Sequence, residues 1–227
     1  MAVDVSIDRR LLVGALLGLT AVTGLIDAVS YLRLGHVFVA NMTGNVVFLG
    51  FTLQPGSGLS APSSVVAIAG FLVGAVLGGR IGVRLAHRPR LWLYTAFALQ
   101  AGVLAVVAVL GDIGALAYTG HAALVTIAIL GLSFGLQNST VRRLAAADLT
   151  TTVLTLTLTG LAADSVIAGG PGGKPYRRLG SVLAMLAGAA VGAELLRVIG
   201  VTGVVAVAAV LVTVIALIFA TAPHCSS

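Results

Sequence analysis

The feature that most constrains this chain is a series of long apolar runs separated by short polar or glycine-rich loops. Eight runs can be recognised, at residues 11–33, 36–54, 64–86, 91–110, 117–140, 147–168, 178–198 and 201–221. Hydrophobic residues make up 59% of the 227 residues and charged residues only 9%, against about 25% charged residues in an ordinary soluble domain. Because a membrane-spanning helix needs about 20 apolar residues, the sequence predicts an all-α polytopic membrane protein with no sizeable soluble domain.

The net charge of +6 comes mainly from arginines at the ends of the apolar runs. This placement is typical of residues that orient helices in a lipid bilayer. The lipid bilayer is therefore the predicted partner of this protein. No basic face with interleaved aromatic residues is present, so nucleic-acid binding is not expected. The first run follows Arg9 and Arg10, and it is expected to be the first membrane helix rather than a cleaved signal peptide.

Three motifs occur twice and in the same order. The matches are "GLID" at 24–27 with "GLQN" at 135–138, "NMTGNVV" at 41–47 with "DLTTTVL" at 148–154, and "GAVLGGR" at 74–80 with "GAAVGAE" at 188–194. The offsets of 111, 107 and 114 residues are close to half of the chain. We therefore predict a single membrane domain over residues 1–227, made of two homologous halves at residues 10–110 and 116–221.

Basic residues change sides between equivalent loops of the two halves. The first half begins with two arginines and the second begins without any. The loop before the third run contains no basic residue in the first half and three in the second. The loop after that run is basic in the first half and nearly free of basic residues in the second. Since cytoplasmic loops are enriched in lysine and arginine, the halves are predicted to be inverted repeats, which requires an odd number of crossings in each half.

The second run of each half is the candidate for the segment that does not cross. Residues 36–54 and 147–168 are short or rich in threonine, and both contain polar motifs. We predict about six transmembrane helices plus two re-entrant or broken polar segments, with a cytoplasmic N-terminus and eleven of the thirteen basic residues on the cytoplasmic side. An arrangement with eight crossings stays open, although it would place eight basic residues on one side of the membrane and five on the other.

The duplicated polar motifs provide the candidate site. Polar groups at membrane depth persist only where protein or a water-filled cavity surrounds them, and in many secondary transporters they lie between inverted repeats. We expect residues of both copies to form a substrate or ion site. They are Asp27, Asn41, Thr43 and Asn45 of the first copy, and Gln137, Asn138, Asp148, Thr150, Thr151 and Thr152 of the second.

The two copies exchange a carboxylate and an amide. Asp27 is matched by Asn138, and Asn41 is matched by Asp148, so each half keeps one group of each kind. Two buried carboxylates could bind a cation or carry a coupling proton.

A structural interpretation of these groups stays open beside the functional one. Asp27 could form an ion pair with Arg33, and Asp148 could form one with Arg142 or Arg143. The asparagines and threonines could serve as hydrogen bonds that hold the helices together.

Other motifs indicate packing rather than chemistry. Small residues four positions apart let helices approach closely, and such patterns begin at Gly14, Gly70, Gly74, Gly131 and Gly188. The four histidines are scattered, without the spacing of metal ligands, at His36, His87, His121 and His224. With no nucleophile elbow and no phosphate-binding glycine loop, we expect neither an enzyme nor a bound metal or cofactor.

The stretch "GLIDAVSYLRLGHVFVANMTGNVVFLG", together with "GLQNSTVRRLAAADLTTTVLTLTLTGL", resembles the YoaK-like family of bacterial inner-membrane proteins, which is defined by a domain of unknown function. The resemblance covers nearly the whole chain. It implies an integral protein of about six helices in a bacterial cytoplasmic membrane, and it brings no substrate or activity.

Two functions follow as expectations. The first is a transporter of a small solute or an ion, and a homodimer is considered because six spans make a thin-walled pore. The alternative is a membrane scaffold or assembly protein that transports nothing.

Overall fold

The computed structural model describes residues 9–144, 154–170 and 175–221, and within these ranges every regular element is helical. The elements are α1 Arg9–Arg33, α2 Met42–Phe51, α3 Ala61–Arg84, α4 Pro89–Asp112, α5 Ala123–Arg143, α6 Leu154–Ala163, a short 3-10 turn at Val166–Ala168, and α7 Pro175–Thr221. The predicted all-α class is confirmed for the described part of the chain.

Among the described residues, five helices are long and apolar enough to cross a membrane: α1, α3, α4, α5 and α7. A helix of 24 residues, such as α3, is about 36 Å long and exceeds the hydrocarbon core of about 30 Å. In contrast, α2 and α6 contain 10 residues each and extend about 15 Å. As described, neither of these two short helices is long enough to span the membrane by itself.

The last helix, α7, reverses at Gly200. This residue has φ 67° and ψ −177°, a backbone conformation that glycine adopts without strain. Leu17 of α1 lies against Gly180, and the adjacent Gly18 lies against Ile215. Residues 180 and 215 thus contact neighbouring residues of α1, so α7 must fold back between them. It is a helical hairpin whose arms correspond to the two predicted runs at 178–198 and 201–221.

The helix ends gather at the two ends of the bundle. At one of them a cavity of about 240 Å³ is lined by Leu34 after α1, Ser60 before α3 and His121 before α5. Since α1 ends where α3 begins, residues 35–60, with α2 among them, leave and return to the same end of the bundle. The opposite end, which we call the basic end, holds the arginines between α3 and α4 and at the close of α5.

Three close backbone contacts between α1 and α7 recur between α5 and α3. In the first set, Gly24, Gly188 and Gly192 approach the backbone of Met185, Ala21 and Leu25, respectively. In the second set, Gly135, Gly74 and Gly78 approach the backbone of Phe71, Leu132 and Leu136. The two sets are related by the offsets of 111 and 114 residues between the sequence motifs, so the same packing is used twice.

The predicted packing role of the small-residue motifs is confirmed at four of their five first glycines. A Cβ atom at Gly70, Gly74, Gly131 or Gly188 would lie 1.9–2.9 Å from a backbone oxygen of the neighbouring helix. Gly14 has no described atom within 4 Å of that position, and no packing role is found for it.

The apolar core is formed mainly by α1, α4, α5 and the second arm of α7. The rings of Phe97 and Phe219 stack with their centroids 5.7 Å apart, and Trp92, Leu104 and Val212 are also fully buried. Leucine and valine side chains cover much of the outer surface, as contact with lipid requires.

Candidate polar site within the membrane bundle

Asp27 lies near the end of α1 with its carboxylate turned into the protein. One oxygen, Oδ1, accepts hydrogen bonds from the backbone amides of Val39 and Ala40, each at 3.0 Å. The other oxygen, Oδ2, accepts a hydrogen bond from the side-chain amide of Asn41. We call this group the Asp27 clasp; it is buried and fixes the non-helical residues before α2 against α1.

Asn45 holds the same non-helical segment from the other side. Its Oδ1 accepts from the backbone amide of Phe38 at 2.9 Å, and its Nδ2 donates to the carbonyl of Phe38 at 2.6 Å. The Phe38 ring stacks on Tyr31 and Phe48, with centroids 5.2 Å and 5.5 Å away. Asn45 is completely buried, so its amide replaces the backbone partners that a helix or sheet would have supplied.

Because the chain leaves α1 at Arg33 and reaches the level of Asp27 again at Val39, it turns back into the bundle before α2 begins. The first turn of α2 therefore starts beside the clasp, deeper in the bundle than the end of α1. Helix N-termini at membrane depth are tolerated only inside protein or beside a polar cavity.

Two other residues predicted for the first copy lie outside this group. The Thr43 side chain is exposed on α2. Arg33 is exposed at the end of α1 and lines a groove of about 430 Å³ with Glu194 and Arg197, while the Asp27 carboxylate binds backbone and amide donors instead of the predicted ion-pair partner.

Asn138, Arg142 and Arg143 of the second copy do not join the Asp27 clasp. Asn138 donates to the carbonyl of Phe134 one turn earlier in α5 at 2.9 Å. Arg142 is exposed, and Arg143 reaches the carbonyl of Gly79 at 3.5 Å. Asp148, Thr150, Thr151 and Thr152 lie outside the described residues, so their predicted roles and the ion pairs of Asp148 stay predictions.

A chain of buried amides joins three helices in the middle of the bundle. Gln100 of α4 donates through Nε2 to Oε1 of Gln137 at 2.6 Å. Gln137 of α5 donates through its own Nε2 to Oγ1 of Thr23 in α1 at 3.0 Å. All three side chains are fully buried, and the chain links the two halves of the sequence directly.

The Thr23–Gln137 bond sets the level at which α1 and α5 face each other. These helices run in opposite directions, because the end of α1 and the start of α5 border one cavity. One turn from Thr23 along α1 is Asp27, and one turn back from Gln137 along α5 is Ser133. Asp27 and Ser133 therefore lie at the same depth on facing helices.

Buried polar side chains continue along this contact in both directions. We call the set the polar seam; its members are Thr20, Thr23 and Asp27 of α1, Ser133, Gln137 and Thr140 of α5, and Gln100 of α4, each at most 3% exposed. Of the predicted site residues, Asp27 and Gln137 belong to the seam, and Asn41 and Asn45 attach to it through the segment before α2.

Sequence reasoning missed Gln100, Ser133 and Thr23. Gln100 was detectable as a lone amide within the apolar run 91–110, since an uncompensated amide is costly in lipid. Ser133 and Thr23 carry no such signal, because hydroxyls bond readily to the preceding turn of their own helix.

In the described part of the chain, no three His, Cys, Asp or Glu side chains come together in a way that could hold a metal ion. The seam instead offers amides, hydroxyls and one carboxylate. That set can hydrogen-bond a small polar solute or partly neutralise a cation.

Comparison with known proteins relates the sequence to a family of unknown function and to a transmembrane protein. The family described as "Protein of unknown function (DUF1275)" matches residues 15–218. The "UPF0700 transmembrane protein YoaK" of Bacillus subtilis (strain 168) is 37% identical over 153 residues, which cover 66% of this chain and 64% of that protein. The chain thus matches less than two thirds of its relative's length, and no solved structure matches it.

Proposed function

The chain belongs to the family described as "Protein of unknown function (DUF1275)". Because that description names no activity, we infer the function from the residues of this chain, and we propose that it transports a small solute or an ion. It is an integral membrane protein of a YoaK-like family, as the sequence motifs predict. The proposed transport site lies between two inverted halves of the chain.

One observation carries this proposal: the polar seam lies at membrane depth between α1 and α5, which belong to different halves. Buried polar side chains are costly in a bilayer and are usually kept for an ion or substrate pathway. Asp27 and Gln137, which the repeated motifs single out, both lie in the seam. This location matches the midplane sites that inverted-repeat transporters use.

The inverted arrangement is supported by helix directions. Helix α1 runs toward the end of the bundle from which α5 starts. Helix α3 starts at that end, whereas the first arm of α7 ends there, since Glu194 and Arg197 border the same groove as Arg33. In this proposal the equivalent helices of the two halves cross the membrane in opposite directions, and the two arms of α7 count as two of six crossings.

The short helices support the re-entrant segments. Helix α2 begins beside the Asp27 clasp and returns to the end that it came from, as a broken helix near a transport site would do. Helix α6 is tied to the start of α7 by the ion pair of Asp164 with Arg178 at 2.6 Å. In this proposal α2 is the re-entrant segment beside the seam, and α6 is its counterpart in the second half.

The orientation follows from the basic end of the bundle. The arginines between α3 and α4 and those closing α5 lie at this end, and cytoplasmic loops are enriched in such residues. We place the basic end and the N-terminus in the cytoplasm, and the protein in the bacterial inner membrane.

Replacing each carboxylate by its amide tests this function. Asp27→Asn keeps an oxygen for the amides of Val39 and Ala40, and the Asn41 side chain can turn its own oxygen toward the new amide, so the fold should persist. We expect Asp27→Asn and Asp148→Asn to lower solute or proton-coupled flux into proteoliposomes by about tenfold or more, the factor that corresponds to about 1.4 kcal/mol.

The matched control is Asp112→Asn, which changes a carboxylate at the exposed end of α4 and should leave flux unchanged. If the Asp27 and Asp148 variants are folded and transport like the wild type, the carboxylates are structural. If the wild type transports nothing across a broad panel of ions and metabolites, the scaffold alternative replaces the transporter.

A further inference from the structure

The amide chain in the polar seam has a fixed direction. The hydroxyl of Thr23 donates its only proton to the carbonyl of Leu19 at 2.9 Å. Its oxygen must therefore accept from Nε2 of Gln137, which turns Oε1 of Gln137 toward Gln100. Gln100 then has to present Nε2 to that oxygen, and its own Oε1 points elsewhere.

Oε1 of Gln100 has no hydrogen-bond partner among the described residues, although the side chain is fully buried. The amide cannot turn round to satisfy this oxygen, because its Nε2 is needed by Gln137. The unpartnered group is thus an acceptor and not a donor, a distinction that the fixed direction of the chain allows.

A second unpartnered group lies close by on α5. The Ser133 hydroxyl is 1% exposed and makes no hydrogen bond with any described residue. Ser133 is one helical turn from Gln137, on the same face of α5, and Gln137 is the residue that Gln100 touches. Both unpartnered groups therefore border the junction of α1, α4 and α5.

Two such groups at one junction call for an explanation, since nearly all buried polar atoms in proteins are hydrogen-bonded. Lipid cannot supply the missing bonds, and an apolar pair would pack there without the cost of desolvation. Helices α1 and α5 touch over only a short stretch, so the junction can widen by a small separation of the two.

We propose that this junction binds a small solute that donates an N–H or O–H bond to Oε1 of Gln100 and exchanges a second bond with the Ser133 hydroxyl. The inference rests on the proposed transport function and names its substrate class. The solute is neutral or cationic and carries a donor. An anion without a donor is excluded, because Oε1 of Gln100 is a hydrogen-bond acceptor and offers it no bond.

Ser133→Ala is the decisive variant. It removes a hydroxyl that has no partner among the described residues, so the folded state should not lose stability. Gln100→Leu is harder to interpret, because it also removes the hydrogen-bond donor of Oε1 of Gln137. Ser139→Ala is the matched control on α5, since the Ser139 hydroxyl bonds to the carbonyl of Leu136 in its own helix and belongs to the α3 side of the bundle.

The experiment measures both binding and flux of defined probes. Methylammonium, acetamide and glycerol represent cationic and neutral donors, and sodium nitrate represents an anion without a donor. We expect at least one donor probe to raise the Tm of the purified wild type saturably and to enter proteoliposomes faster than protein-free liposomes. Ser133→Ala should weaken both effects about tenfold, Ser139→Ala should retain them, and nitrate should produce neither.

The outcomes separate this inference from the transport proposal. Saturable binding that Ser133→Ala abolishes, without flux, supports the binding site and contradicts transport. Flux of a donor probe that Ser133→Ala and Gln100→Leu leave unchanged contradicts the site and keeps transport. A wild type that neither binds nor moves any donor probe, or one that moves nitrate, overturns the inferred substrate class.

Discussion

Gly74→Ala is expected to destabilise the protein strongly, although alanine normally favours a helix over glycine by about 1 kcal/mol. A Cβ atom at position 74 would lie 1.9 Å from the carbonyl oxygen of Leu132, and a backbone atom cannot move aside as a side chain can. Helices α3 and α5 must therefore separate. We expect a loss of about 3 kcal/mol, at the upper end of the cost of overpacking, and a decrease in Tm of about 6–12 °C.

Two further glycines make this prediction specific. Gly188→Ala, at the equivalent position of α7, should lower the Tm by a similar amount, because its Cβ would lie 2.0 Å from the carbonyl of Ala21. Gly79→Ala lies on the same helix as Gly74 but meets no described atom within 4 Å, so its Tm should stay the same or rise. Thermal unfolding in detergent measures all three, and equal behaviour of Gly74→Ala and Gly79→Ala would contradict the packing of α3 on α5.

Asn45→Leu is expected to have the second large effect. The substitution removes both bonds to the backbone of Phe38 and leaves an amide and a carbonyl without partners. Each unsatisfied backbone group costs about 1–3 kcal/mol, so the variant should lose about 2–6 kcal/mol. We expect the Tm in detergent to fall by about 4 °C or more.

Thr43→Val is the control for this substitution, because Thr43 lies in the same motif and its side chain is exposed. Its Tm should stay close to that of the wild type. If the two variants are equally stable, water or lipid headgroups already reach the backbone of Phe38, and the segment before α2 is not held as described.

Much of the architecture could be predicted from the sequence because lipid imposes simple rules. The ends of α1, α3 and α4 lie within about three residues of the predicted runs, since charged residues and glycine-proline loops end an apolar segment clearly. The start of α5 was predicted six residues too early, because the apolar residues of the preceding loop resemble a continuing helix.

The use of the polar residues was harder to predict. The repeated motifs identified Asp27 and Asn45, but Oδ1 of Asp27 and the amide of Asn45 both bond to backbone groups of a non-helical segment, which has no sequence signature of its own. Gln100 escaped notice because its importance depends on contacts with α1 and α5, and helix packing cannot be read from spacing within α4. Contacts between repeats were easier to anticipate, because the same glycines mark them twice.

Transport through the polar seam requires a water-accessible route to the seam between the two inverted halves. Thiol accessibility tests it most directly, in a Cys225→Ser background with a membrane-impermeant methanethiosulfonate. Ser57→Cys, before α3, should be labelled from outside intact spheroplasts, and His87→Cys, between α3 and α4, only after permeabilisation.

The decisive position in that measurement is Ser133→Cys, compared with Ala96→Cys in α4, since both native residues are at most 1% exposed. We predict that Ser133→Cys is labelled, because the seam opens to water during transport, while Ala96→Cys in the apolar core stays unlabelled. If Ser133→Cys proves as unreactive as Ala96→Cys from both sides of the membrane, the seam is a dry structural contact and the transport account is wrong.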